Sequence, residues 1–125
     1  MKKKIYIVED YKRNIKLYEA LFQTIPDVEI ITETDGLKGF EMIKSGDPDL
    51  IILDYKLPKM NGIEICKKLR KIERFKNIPI IAVSSTPIEG EVDREATFKE
   101  AGFDLSFSKP LKAIEFRAIL NELLI

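Results

Sequence analysis

The sequence predicts an α/β protein in which helices cover both faces of a doubly wound, five-stranded parallel sheet. Apolar runs and helical patterns alternate five times along the 125 residues, which is typical of parallel strands joined by crossover helices. Two runs, Leu50 to Leu53 and Ile80 to Val83, are apolar throughout rather than alternating. This pattern indicates strands that are buried on both faces.

The first two strand–helix units are predicted from local signals. Lys4 to Val8 predicts a strand, and a helix is expected from about Lys12 to Ile25, where Pro26-Asp27 ends it. Val28 to Glu33 predicts the second strand, and the turn signal Asp35-Gly36 precedes the second helix. We expect these two helices to bury Leu17, Leu21 and Ile25, and Leu37, Phe40 and Ile43, respectively.

The remaining units follow the same pattern. The third strand is expected at Leu50 to Leu53, and the helix after it from Gly62 to about Lys71. The fourth strand is expected at Ile80 to Val83, and the helix after it from about Glu89 to Ala101. The fifth strand is expected at Leu105 to Ser108, and the last helix at Ala113 to Leu124 carries Ile114, Leu120 and Leu123. The fourth helix has a thin apolar face, which predicts weak anchoring.

Composition excludes several classes of function. Lysine plus arginine equals aspartate plus glutamate at 21 each, so no basic field favours nucleic acid. No run is long enough for a membrane span, and we expect a cytoplasmic protein. Histidine is absent, which removes histidine triads and histidine-ligated zinc and means that any phosphohistidine would belong to another protein. The single Cys66 excludes an intrachain disulfide and a CxxC motif, and its helical spacing predicts a core residue.

Polar residues follow the predicted strands. Right-handed crossovers bring the carboxyl ends of all the strands to one edge of the sheet. The residues expected there are Glu9, Asp10, Asp54, Ser84 and Lys109. One lysine cannot neutralise three carboxylates, whereas a hard divalent cation such as Mg²⁺ can. The alternatives are a surface acidic cluster with a salt-bridging lysine, or carboxylates that cap the following helices.

Such a site is suited to phosphoryl transfer. An aspartate beside Mg²⁺ is a nucleophile toward phosphorus and forms an aspartyl phosphate. A hydroxyl and an ammonium group can hold the other phosphoryl oxygens.

Four motifs in this order resemble those of one family across essentially the whole chain. They are IVED at Ile7 to Asp10, ILDYKLPKMNG at Ile52 to Gly62, PIIAVSS at Pro79 to Ser85, and SKP at Ser108 to Pro110. The chain resembles the response regulator receiver domains of two-component signalling (CheY-like), of the stand-alone or hybrid-kinase type. The resemblance implies a flavodoxin-like sheet in the order 2-1-3-4-5, and we expect residues 1–125 to form a single receiver domain.

The resemblance also implies roles for individual residues. Asp54 would be the phosphoacceptor, and Asp10, Asp54 and the backbone carbonyl of Lys56 would ligate Mg²⁺, with Glu9 acting through water. Ser84 would follow the phosphoryl group and Lys109 would bind one of its oxygens. The Lys109-Pro110 bond is a candidate cis peptide.

Three positions depart from the family pattern or tune it. Receivers usually carry an aromatic residue where this chain has Ser106, so the usual aromatic switch is in question. Phe107 should point to the opposite face, into the core. Lys56 and Thr86 occupy the positions that tune self-dephosphorylation in this family. Because neither side chain is suited to orient an attacking water, we expect a long-lived phosphoryl group. Lys56 is alternatively a solvated lysine or a partner of Glu9.

The family resemblance implies a sensor histidine kinase or histidine phosphotransfer protein as phosphodonor and a downstream protein as target. We expect no nucleic acid or membrane partner, and a monomer or weak homodimer that signals through strand 4, helix 4, strand 5 and helix 5. A small-molecule phosphatase of the haloacid-dehalogenase type is an alternative, although Lys56 stands where its second aspartate would be. A pseudo-receiver that no longer uses phosphate is another. A dinucleotide-binding fold is disfavoured because no GxGxxG follows the first strand.

Overall fold

The computed structural model describes residues 2–85, 94–109 and 112–124. Strands and helices alternate through these ranges, with a short 3-10 helix at Glu73–Phe75 before the fourth strand. The elements are β1 (Lys3–Val8), α1 (Lys12–Phe22), β2 (Val28–Glu33), α2 (Gly36–Ser45), β3 (Leu50–Asp54), α3 (Gly62–Arg70), β4 (Ile80–Ser84), α4 (Arg94–Ala101), β5 (Leu105–Ser108) and α5 (Ala113–Leu124).

The strands of the described residues form one five-stranded parallel sheet in the order β2-β1-β3-β4-β5. This confirms the predicted fold class and the order that the family resemblance implied. Val8 of β1 lies beside Leu53 of β3, and Ser84 of β4 lies beside Ser108 of β5. The register therefore brings the ends of these strands to one edge of the sheet.

Two hydrophobic cores lie on opposite faces of the sheet. Tyr6 and Val8 of β1 belong to one core, whereas Ile5 and Ile7 of the same strand belong to the other. Successive side chains of a strand point to opposite faces, so a strand covered on both sides must be apolar at every position. The first core is completed mainly by α2, α3 and α4, and the second by α1 and α5.

Helix α1 differs from its prediction in its end and in its buried face. It ends at Phe22 rather than Ile25, and it buries Tyr18 and Phe22. Leu17, expected in the core, is 63% exposed. The Ile25 amide donates to the Phe22 carbonyl in a final turn, which lets Ile25 reach the core although it lies outside the helix.

Two other apolar residues assigned to helix faces are also exposed. Leu37 of α2 is 44% exposed and Ile114 of α5 is 87% exposed. Leu120, which the prediction also named, is buried, and Phe116, which it did not name, is buried with it. The prediction for Ile114 is wrong because leucine, isoleucine and phenylalanine occur on several sides of this helix, and contact with the sheet selects the buried side.

Three elements end one residue away from their predicted ends. β3 includes Asp54, β4 includes Ser84, and α3 ends at Arg70. Backbone pairing extends the strands, because Asp54 lies opposite Val83 and Ser84 lies opposite Ser108. The polar residue at each strand end is therefore held by the sheet itself.

Helix α4 is described from Arg94 onward, so the predicted start near Glu89 lies outside the described residues. Of its described residues, only Phe98 and Ala101 are buried. The thin apolar face is confirmed, and weak anchoring of α4 stays a prediction.

Cys66 is fully buried, as its spacing predicted. Burial raises the pKa of its thiol to about 12. No helix within the described residues has both the length and the apolar composition that a bilayer crossing requires.

Candidate functional site

Three carboxylates meet where β1 and β3 end. One oxygen from each of Glu9, Asp10 and Asp54 lies within 4.8 Å of the others. Glu9 is 1% exposed and Asp54 is 7% exposed, whereas Asp10 is open to solvent. The parallel pairing of β1 with β3 causes this crowding, because both strands end at the same edge.

Lys109, which directly follows β5, reaches two of these carboxylates. Its Nζ lies 2.8 Å from Glu9 Oε1 and 3.1 Å from Asp54 Oδ2. The backbone N–H of Tyr11 donates to the other Glu9 oxygen at 3.1 Å. Glu9 therefore pairs with Lys109 rather than with Lys56, and the alternative of a Glu9–Lys56 pair is wrong.

The electrostatics of the site raise the pKa of Asp54 to about 7. Burial contributes most and the charge of Glu9 adds to it, while Lys109 opposes both. Burial lowers the pKa of Lys109, but its hydrogen bond to Glu9 and the charges of both acids outweigh burial, so this pKa is raised. The surroundings of Asp54 thus disfavour its ionised form. An additional positive charge beside it would stabilise the carboxylate.

The loop after Asp54 is held by short-range contacts. The Gly62 N–H donates to the Tyr55 carbonyl at 2.8 Å, and the Asn61 side chain caps α3 by accepting from the Glu64 amide at 2.9 Å. A Cβ at Gly62 would lie 2.4 Å from the backbone carbonyl oxygen of Asp54. Glycine is therefore required where α3 approaches the end of β3.

An open cleft of about 710 Å³ lies over Asp10 and Asp54. It is lined by Asp10, Tyr11, Asn14, Asp54, Lys56, Leu57, Pro58, Ser85 and Lys109. Three clustered carboxylates, two of them buried, match the oxygen ligands that hard divalent cations prefer. The donor set therefore fits a metal ion, and the cleft has room for a phosphoryl group beside it.

The other predicted site residues take different positions. Ser84 is buried at the end of β4, one residue beyond the partner of Asp54. Ser106 lies on β5 and lines a separate groove with Phe98 and Phe103. Phe107 packs edge-on against Phe116 with ring centroids 5.1 Å apart, so its predicted inward orientation is confirmed. Thr86 and the Lys109-Pro110 bond involve positions outside the described residues.

Sequence reasoning missed three residues near the site. Asn14 lines the cleft, and Tyr18 lies near Glu9 and Asp54. Burial first, and then the charges of those two acids, raises the pKa of Tyr18. Their i, i+4 spacing on α1 was the available signal. Arg94 contacts Ser84, and no sequence pattern indicated that contact.

A family model and a curated relative both match this chain over most of its length. Residues 5–121 match the family model described as the response regulator receiver domain. The chain is 33% identical over 116 residues, 93% of its length and 91% of the relative's, to the polar-differentiation response regulator DivK of Brucella ovis.

Solved structures show the same fold. The receiver domain of the sensor histidine kinase PA1611 from Pseudomonas aeruginosa, determined with magnesium in its active-site cleft, superposes with a TM-score of 0.84 at 24% identity, covering 99% of this chain and 98% of that one. The phosphorylated cyanobacterial phytochrome response regulator RcpA gives a TM-score of 0.76 at 27% identity, covering 98% and 91%.

Proposed function

Because this chain belongs to the response regulator receiver domain family of two-component signalling, we propose that Asp54 is its phosphoacceptor. The observation that supports this role is the position of Asp54 at the end of β3, buried beneath an open cleft and in contact with Lys109. Family membership makes the chain a signalling protein rather than a metabolic enzyme. Its chemistry would be limited to its own phosphorylation and dephosphorylation.

We propose that Asp10, Asp54 and the backbone carbonyl of Lys56 hold Mg²⁺, with Glu9 acting through water. When bound, Mg²⁺ would neutralise negative charge at the cleft and bring phosphoryl oxygens close to the carboxylates. The clustering of the three carboxylates supports this proposal. The magnesium reported in the PA1611 receiver is a parallel from a related fold.

The transfer step uses the groups of this chain as follows. An Oδ atom of Asp54 attacks the phosphorus of a partner's phosphohistidine, an acyl phosphate bond forms, and the P–N bond breaks as the imidazole leaves. Lys109 stabilises the charge on a phosphoryl oxygen, and the Ser84 hydroxyl binds another. Glu9, held by Lys109 and the Tyr11 amide, keeps the lysine aimed at Asp54.

The proposed phosphodonor is a sensor histidine kinase or a histidine phosphotransfer protein, because this chain contains no histidine. We further propose a cytoplasmic location, a single receiver domain over residues 1–125, a monomer or weak homodimer, and output through a downstream protein.

The phosphoryl group would be long-lived, since Lys56 is poorly suited to orient an attacking water. A Lys56→Asn variant should therefore lose phosphate faster.

Phosphorylation by acetyl phosphate tests the proposal. Intact-mass spectrometry should show one added phosphoryl group on the wild-type protein with Mg²⁺, and none on Asp54→Asn or in excess chelator. Asp47→Asn, at an exposed position, is the matched control and should label normally. Labelling of Asp54→Asn, or a wild-type protein that never labels, as a pseudo-receiver would behave, would refute the assignment. Turnover of phosphorylated metabolites would instead favour the phosphatase alternative.

A further inference from the structure

Arg94 joins helix α4 to the ends of two strands. Its Nη1 donates to the backbone carbonyl of Ser84 at 3.3 Å, and its Nη2 donates to the Ser108 hydroxyl. Ser84 and Ser108 lie opposite each other at the ends of β4 and β5. A single side chain therefore connects the first described residue of α4 to both strand ends at the candidate site.

Small side chains on β5 leave room for this arginine. Ser106 and Ser108 lie on the same side of the strand, because side chains alternate, while Phe107 points the other way and packs on Phe116. Beside Ser106 a groove of about 250 Å³ separates β5 from α4. The guanidinium therefore supplies a polar connection between β5 and α4 next to this groove.

The same Ser84 carbonyl is connected to the phosphoacceptor. It also accepts a hydrogen bond from the Lys109 amide at 3.2 Å, and the Lys109 ammonium contacts Asp54 at 3.1 Å. Asp54, Lys109, Ser84 and Arg94 therefore form one continuous series of contacts. Movement at the Asp54 end of the series can change the contact that holds α4.

The predicted weak anchoring of helix α4 gives this contact its importance. Its described part spans eight residues, Arg94–Ala101, of which Phe98 and Ala101 are buried. Hydrogen bonds from a charged donor contribute more than neutral ones. A helix with so few buried apolar side chains lies at the low end of local stability.

We propose that Arg94 is a positioning residue that latches α4 to the strand ends until Asp54 is phosphorylated. This inference rests on the proposed function. In the proposed function the Ser84 hydroxyl binds a phosphoryl oxygen carried by Asp54 of β3, so we expect phosphorylation to shift Ser84 toward β3 and to weaken the hydrogen bond between the Ser84 carbonyl and Arg94. α4 is then released for binding to a downstream protein. The guanidinium fork can serve two acceptors in fixed directions, which a lysine ammonium does less well.

Hydrogen–deuterium exchange of the 94–104 segment, with and without Mg²⁺ and beryllofluoride, tests the latch. Beryllofluoride stands in for the phosphoryl group on the Asp54 carboxylate. In the wild-type protein we expect exchange in α4 to increase on loading. In Arg94→Ala, exchange should already be fast without beryllofluoride, and the increase on loading should be lost.

Three further variants sharpen the result. Arg94→Lys should behave like Arg94→Ala, and Ser108→Ala, which keeps one of the two acceptors, should lie between Arg94→Ala and the wild type. Lys99→Ala removes a charge at an exposed position of the same helix and should respond like the wild type. All variants should still label with acetyl phosphate, because the proposed effect of these substitutions is confined to α4 and leaves the phosphorylation of Asp54 intact.

Several outcomes would overturn the inference. The first is exchange in α4 that responds to beryllofluoride as in the wild type in both Arg94→Ala and Ser108→Ala. The second is a wild-type protein that labels without any change in α4 exchange. The third is loss of labelling in Arg94→Ala with unchanged α4 exchange. The last result would place Arg94 among the phosphoryl-binding groups. A wild-type protein that does not label at all would instead refute the proposed phosphoacceptor, so the two failures are distinguishable.

Discussion

Lys109 pairs with two carboxylates that are almost completely buried. Glu9 is 1% exposed and Asp54 is 7% exposed, and both contact the lysine ammonium. Buried charges are tolerated when they are paired, and removing one partner leaves the other uncompensated. The lysine therefore has a role in stability that is separate from any role in binding a phosphoryl group.

We predict that Lys109→Met destabilises the protein by about 1–3 kcal/mol in the absence of divalent ions. Glu9 and Asp54 would lose their counter-ion, and the pKa of Asp54 would rise further because Lys109 lowers it. Urea unfolding in chelator at pH 8 measures the effect. Lys112→Met, at an exposed position nearby, should change stability little; equal stabilities of the two variants would contradict this role for Lys109.

Arg70, the last residue of α3, connects that helix to the chain on either side of β4. Its Nη1 donates to the carbonyls of Phe75 and Ile78 at 2.6 and 2.8 Å, and its Nε donates to that of Gly102 at 2.9 Å. Its Nη2 pairs with Asp104 at 2.9 Å. These contacts fix the start of β4 and the turn after α4 relative to α3.

We predict that Arg70→Lys destabilises the protein by at least about 2 kcal/mol, because hydrogen bonds to a charged group contribute about 1.5–3 kcal/mol each and an ammonium cannot reach all of these carbonyls. Thermal and urea unfolding measure the loss. Lys67→Arg, an exchange of the same two residue types at an exposed position of α3, should be nearly neutral. A loss no larger than in this control would mean that the carbonyls are satisfied without Arg70.

The junction between β3 and α3 depends on Gly62. A Cβ there would lie 2.4 Å from the Asp54 carbonyl oxygen, closer than any van der Waals contact allows. We predict that Gly62→Ala costs about 1–3 kcal/mol, as overpacking does, and slows labelling of Asp54 by acetyl phosphate. Lys67→Ala, a substitution at an exposed position of the same helix, is the control. Unchanged labelling of a stable Gly62→Ala protein would show that the junction tolerates displacement.

For the whole molecule, the acidic site connects stability to pH and to divalent ions. The pKa of Asp54 rises from 3.8 to about 7 on folding, so between these values the folded state binds more protons than the unfolded state. Stability contributed by this group therefore falls as pH rises through that window, by up to about 1.4 kcal/mol per pH unit. A cation that binds the ionised carboxylates should reverse the loss.

We predict that Asp54→Asn is more stable than the wild-type protein at pH 8 in chelator, and that the difference shrinks toward pH 4. Millimolar Mg²⁺ should raise the melting temperature of the wild-type protein at pH 8, with a much smaller effect at pH 5 or on Asp54→Asn. Thermal unfolding across this pH range measures both effects, with Asp47→Asn as the charge-matched control. A pH-independent difference between Asp54→Asn and the wild-type protein would contradict the raised pKa.

Local patterns in the sequence were enough to predict the architecture and the carboxylates that meet at one edge of the sheet. Alternating strands and helices indicate a parallel sheet, and parallel strands end at one edge, so Glu9, Asp10 and Asp54 could be expected together before any coordinates. Burial on both faces explains why Leu50 to Leu53 carries no polar residue. These predictions succeeded because the period of a strand and the direction of a crossover are properties of the backbone.

Only the tertiary structure decided which apolar side chains of the helices are buried and which polar groups pair with one another. Leu17 and Ile114 have the same apolar character as buried neighbours, yet they lie on helix faces that the sheet does not cover. The Glu9–Lys109 pair joins residues 100 positions apart. Arg94 contacts the end of β4, and nothing in the sequence around Arg94 indicates that contact. Such contacts depend on how elements distant in the chain are placed against one another, and the spacing of residues along the chain does not specify that placement at the level of individual side chains.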